Sequence, residues 1–154
     1  MSRAMTSGPF DAPAAGRLPR HILVVDDDRP SREGLGTALF REGHSVDTAS
    51  DAWQAIVKLR ADRFDIAVVD LDLPAVHGVD LGGWDVVRIA RGYHPGIAAI
   101  VVSSEEDPTL GPEAGALGVT EVLGKPISLQ QLTTLVEGLS LPATPGAPRS
   151  PIGR

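Results

Sequence analysis

Residues 64–74 read FDIAVVDLDLP. The run is short, bounded by polar residues and rich in β-branched side chains, so it reads as a strand buried on both faces, and it closes on an aspartate, Asp70. Upstream, residues 21–28 read HILVVDDD, a second buried strand that also ends in acid, at Asp26, Asp27 and Asp28. Downstream, IAAIVVSS (97–104) ends on serines, TEVLGK (120–125) ends on Lys125, and SVDTAS (45–50) alternates like a half-exposed edge strand.

Amphipathic segments alternate with these five runs. Pro30 marks the first turn of a helix presenting Leu35, Ala38 and Leu39. Asp51 with Gln54, and Ser128 with Gln131, are capping pairs for helices that bury Ala52, Ala55, Ile56 and Leu59, and Leu129, Leu132, Leu135, Val136 and Leu139. WDVVRIAR (84–91) is a third helix after the Asp70 loop. DPTLGPEAGALG (107–118), with Pro108, Pro112 and its glycines, predicts only a short or distorted fourth helix. Strands alternating with helices define an α/β three-layer sandwich around a parallel sheet with right-handed crossovers.

At 154 residues the chain fits one domain, expected over 20–140, between Pro/Gly/Ala/Ser-rich tails, 1–19 and 141–154, that read as disordered. Residues 21–140 hold nine Lys/Arg against nineteen Asp/Glu, a balance that repels phosphate backbones and argues against nucleic-acid binding. No apolar stretch approaches the roughly 20 residues that span a bilayer. The first residues lack the apolar core of a secretory signal. The absence of cysteine excludes disulfides and thiolate metal sites, and the expected location is the cytoplasm.

In doubly wound sheets, ligands bind beyond the carboxyl ends of the strands, where Asp26, Asp27, Asp28, Asp70, Ser103 and Lys125 all fall. Converging carboxylates either raise a pKa or hold a hard cation, and Mg²⁺, which takes oxygen ligands and shares them with phosphate, suits Asp26, Asp27 and Asp70. In that setting Asp70 is the candidate nucleophile, Lys125 a point charge for a transferring phosphoryl group, and Ser103 a hydroxyl for one of its oxygens. Singly, each feature is ordinary: acid runs are mostly solvated helix starts and Lys-Pro pairs mostly turns. Their joint occurrence, each at the proper strand end, carries the reading. His21, His44, His77 and His94 show no ligand spacing, and Trp53 and Trp84 read as packing residues.

Together ILVVDDD, VVDLDLPAVHG, IVVSSEED and VTEVLGKPIS resemble the response-regulator receiver domain over residues 21 to about 140. The resemblance implies a flavodoxin-like sheet in the order 2-1-3-4-5 and phosphorylation of Asp70 by a sensor histidine kinase or a histidine phosphotransfer protein. It also implies Mg²⁺ held by Asp27, Asp70 and the backbone carbonyl of Asp72, with Asp26 acting through water, and a cis bond at Lys125-Pro126. Val122 stands where the family often carries the aromatic switch residue. Residues 79–83, VDLGG, read as an insertion after a family glycine matched to Gly78. Asp72 and Glu105 flank the path of hydrolytic water and are candidate modulators of phosphoryl lifetime. The expected function is that of a stand-alone, chemotaxis-type regulator acting through phosphorylation-dependent protein binding, with no catalysis beyond its own phosphorylation and dephosphorylation. Two alternatives are a degenerate receiver used only for protein binding and, from DLDLP, a haloacid-dehalogenase-type phosphohydrolase, whose motif belongs in a first strand and is not followed by proline.

Overall fold

Five parallel strands lie in the order β2-β1-β3-β4-β5 in the computed structural model, which describes residues 19–104 and 110–139. The elements are β1 (His21–Val25), α1 (Arg29–Arg41), β2 (Ser45–Ala49), α2 (Ala52–Ala61), β3 (Ile66–Asp70), α3 (Gly83–Tyr93), β4 (Ala98–Ser103), α4 (Leu110–Leu117), β5 (Glu121–Gly124) and α5 (Leu129–Gly138). The expected tails fall outside the described residues, except for Pro19.

Period-two alternation along the central strands divides the core into two layers. Leu23, Val25, Ala67, Val69, Ala99 and Val101 face α2 and α3, packing on Ala55, Leu59, Val86, Val87 and Ala90. Ile22, Val24, Ile66, Val68, Ile100 and Val102 pack on the other side against Leu35 and Leu39 of α1 and Leu132 and Val136 of α5. Every residue of β3 and β4 is buried, which is why these runs are continuously apolar, whereas β2 at the edge is mostly half-exposed.

Helix starts follow local chemistry. The carboxylates of Asp28 and Asp51 and the hydroxyl of Ser128 accept from the amides of Ser31, Gln54 and Gln131 at 3.0, 2.8 and 3.1 Å. Each satisfies an amide that the first helical turn leaves without a partner, a contribution of about 1 kcal/mol. Pro30 occupies the first turn of α1, where its missing N–H costs nothing. The fourth helix is short, eight residues with none buried, as its prolines and glycines predict.

The connection from β3 to α3 contains a short hairpin before the helix begins. Val76 and Val79 exchange both backbone hydrogen bonds, at 3.1 and 3.0 Å, around His77 and Gly78, whose φ values are 57° and 73°. Positive φ at both central residues is the requirement of a type I′ hairpin turn, so Gly78 serves this turn rather than the helix. The glycine that the helix needs is Gly83, inside the stretch read as inserted: a Cβ there would sit 2.4 Å from the backbone oxygen of Asp70 and 2.7 Å from the Cα of Leu71. Only glycine lets α3 start against the backbone of that aspartate.

Candidate functional site

The carboxyl ends of β1, β3, β4 and β5 converge on one acidic pocket. Asp26 and Asp70 are buried, 3% and 1% exposed, while Asp27 is exposed, and one carboxylate oxygen from each lies within 4.8 Å of the others. The backbone holds this cluster in place. The Asp26 amide donates to the carbonyl of Ala49 at 3.1 Å, the Asp28 amide donates to Asp26 Oδ1 at 2.9 Å, and Arg32 Nη1 donates to the Asp26 carbonyl at 2.9 Å.

Both oxygens of Asp70 are engaged. The Asp72 amide donates to Oδ1 at 2.8 Å, and Lys125 Nζ lies 2.8 Å from Oδ2. Lys125 reaches the pocket because β5 ends beside β4: its amide donates to the Ser103 carbonyl at 3.0 Å, and the next peptide bond, to Pro126, is cis. The same ammonium is 3.9 Å from Asp72 Oδ2, which also accepts from the Ser104 hydroxyl at 2.8 Å.

The charges are out of balance. Burial, reinforced by the neighbouring Asp70 and opposed by the Asp28 amide, pushes the Asp26 carboxyl from its ordinary 3.8 to about 6. Burial also works against the charge of Lys125, but the hydrogen bond and charge of Asp70, with the charges of Asp26 and Asp72, outweigh it and hold the ammonium above its usual range. Three acids against one lysine leave room for a divalent cation, and an all-oxygen donor set of this size suits a hard one.

Other expected residues fall as follows. Ser103 is buried at the end of β4, paired in register with Gly124, one position beyond Val102, the partner of Asp70. Val122 is half-buried on β5 opposite Val101, so a branched aliphatic side chain occupies the position where the resemblance anticipates an aromatic ring. Asp72 is in the turn after β3 with an exposed side chain, and Glu105 lies outside the described residues. Ser104 and the role of Gly83 are not evident from sequence. Gly83 had a signal in the Gly-Gly pair before an amphipathic run, whereas nothing local distinguishes the Ser104 hydroxyl.

A doubly wound domain with acids at the ends of its first and third strands and a lysine after its fifth has the architecture of a signalling receiver. The chain belongs to the response regulator receiver domain family, whose profile matches residues 22–137. It is 32% identical over 131 residues to the response regulator MprA of Mycolicibacterium vanbaalenii, covering 83% of this chain and 53% of that protein. It is 31% identical over 133 residues to the sensor histidine kinase AruS of Pseudomonas aeruginosa, covering 85% of this chain and 13% of the kinase. Among solved structures it resembles chemotaxis protein CheY4 of Vibrio cholerae, with a TM-score of 0.69, 26% identity and coverage of 77% of this chain and 97% of that one. The chain thus spans about half the length of the response regulator that it matches. Membership in this family sets aside the haloacid-dehalogenase alternative. Among the described residues, no helix is long and apolar enough to cross a membrane.

Proposed function

We propose that the chain accepts a phosphoryl group on Asp70 from the phosphohistidine of a sensor histidine kinase or histidine phosphotransfer protein, in a magnesium-dependent reaction, and signals by phosphorylation-dependent protein binding. The observation that carries this reading is the contact of Lys125 with the nearly inaccessible Asp70, in a pocket that also gathers the carboxylates of Asp26 and Asp27.

An Asp70 oxygen attacks phosphorus, the P–N bond to the donor imidazole breaks, and its electron pair stays on the departing nitrogen. The hydrogen bond from the Asp72 amide to Oδ1 and the contact of Lys125 with Oδ2 fix the plane of the attacking carboxylate. Lys125 then follows the charge from the carboxylate to the phosphoryl oxygens, and the Ser103 hydroxyl would donate to one of them. Asp26, Asp27 and Asp70, with the backbone carbonyl of Asp72, would hold Mg²⁺, which supplies charge neutralisation of the transferring group. The pocket fits this ion: its donors are all oxygen, and burial beside Asp70 already opposes the charge of Asp26.

The test is incubation with Mg²⁺ and acetyl phosphate followed by intact mass measurement. One added phosphoryl group is expected, absent in Asp70→Ala and in chelator. An adduct that persists in Asp70→Ala would overturn the assignment. An absence of any adduct would favour a binding module that works without phosphorylation.

A further inference from the structure

The Ser104 hydroxyl is the part of the pocket that the mechanism above does not use. It donates to Asp72 Oδ2 at 2.8 Å, joining the turn after β3 to the end of β4 across 32 residues of sequence. That oxygen is also the one 3.9 Å from Lys125 Nζ. Exposure rises along this line: the Asp70 side chain is 1% exposed, Lys125 31% and Asp72 55%, so Asp72 stands on the solvent side of the lysine that contacts the acceptor.

We infer that Ser104 is a positioning residue that holds the Asp72 carboxylate across the mouth of the acceptor pocket, where its charge restrains the approach of anionic phosphoryl donors to Asp70. This rests on the phosphoacceptor reading and adds a device that regulates entry. A carboxylate on a free turn would rotate into water and be screened; tied by Ser104 beside Lys125, it keeps a negative charge on the route of an incoming phosphoryl group and competes with Asp70 for the ammonium. Loss of the hydroxyl frees the carboxylate without removing its charge. Loss of the charge makes the hydroxyl irrelevant. The two residues therefore act as a unit, and their effects do not multiply.

The experiment uses the full chain with saturating Mg²⁺ and two small donors, acetyl phosphate, a dianion near neutral pH, and phosphoramidate, which carries less net charge. With acetyl phosphate, an Asp70 oxygen attacks phosphorus, the P–O bond to the acetyl group breaks, and acetate leaves with the electron pair, with no proton required. Ser104→Ala and Asp72→Asn are each expected to raise the second-order rate constant for acetyl phosphate about threefold to fivefold, a change of roughly 1 kcal/mol. The double variant should gain no more than either single one, and Ser104→Thr, which keeps the hydroxyl, should match the parent. The gain should be smaller with phosphoramidate and should shrink as salt is raised, which a merely structural effect would not do. Parental rates in Ser104→Ala, multiplying effects in the double variant, or equal gains with both donors would each overturn the inference. Absence of an adduct in every variant and in the parent would instead overturn the phosphoacceptor reading, and the restraint with it.

Discussion

Lys125 Nζ lies 2.8 Å from Asp70 Oδ2, a contact across 55 residues of sequence that joins the ends of β3 and β5. With Asp70 almost wholly buried, removal of the lysine leaves two buried carboxylates facing each other without a cation. Breaking such a pair from one side costs about 3–5 kcal/mol in the general case. Half-exposure of the lysine places Lys125→Ala toward the lower end of that range in chelator. Urea unfolding of the two proteins checks this, and an unchanged midpoint would contradict it.

The raised carboxyl of Asp26 predicts an unusual pH dependence. In chelator the native state keeps this proton up to about pH 6, whereas the unfolded chain releases it near 3.8, so between these values the native state binds more protons. This contribution to stability is complete below 3.8, declines as pH rises and is lost above about 6. Midpoints measured in chelator across that window are expected to carry the decline, and Asp26→Asn to flatten it.

Magnesium should offset the crowding of acids. Binding to the native state alone stabilises it by about 2.7 kcal/mol when the ion is at one hundred times its Kd. A rise in thermal midpoint with MgCl₂ is expected for the parent and should be largely abolished in Asp27→Asn and Asp70→Asn. An equal rise in all three would assign the effect to other groups.

Two glycines should respond to alanine with opposite sign. At Gly83 the added Cβ meets the backbone of Asp70 and Leu71, which cannot swing aside, so overpacking should cost about 1–3 kcal/mol and slow phosphorylation by moving the acceptor. Gly34, inside α1, has nothing within 4 Å, and Gly34→Ala should stabilise by about 0.5–1 kcal/mol. Denaturation curves and the acetyl phosphate rate distinguish the two.

Gly78 is a third case, set by backbone conformation alone. Its φ of 73° and the open space around it make Gly78→Ala cost about 1 kcal/mol through strain in the hairpin turn rather than through contact. A denaturation midpoint unchanged in Gly78→Ala would contradict the left-handed conformation of this turn.

Much of the fold was legible because its signals are local. Continuous apolar runs mark strands covered on both faces, as in β3 and β4, and the pairs Asp51 with Gln54 and Ser128 with Gln131 mark helix starts through bonds spanning three residues. The loop between Pro74 and Gly83 was harder. Val-His-Gly-Val has the form of a two-residue turn, but a hairpin so short leaves little periodicity to read. The short fourth helix was readable from its prolines and glycines, since they act on the backbone directly.

The alternation of strands and helices and the placement of Asp26, Asp27, Asp70, Ser103 and Lys125 at strand ends are written in local sequence, because burial periodicity and capping are carried by near neighbours. Tertiary structure alone decided that Lys125 takes Oδ2 of Asp70 while the Asp72 amide takes Oδ1, that α3 begins against the acceptor's own backbone at Gly83, and that Ser104 ties Asp72 beside the lysine. Those contacts depend on sheet register and on how loops close over distances of tens of residues, and no local pattern of side chains encodes either.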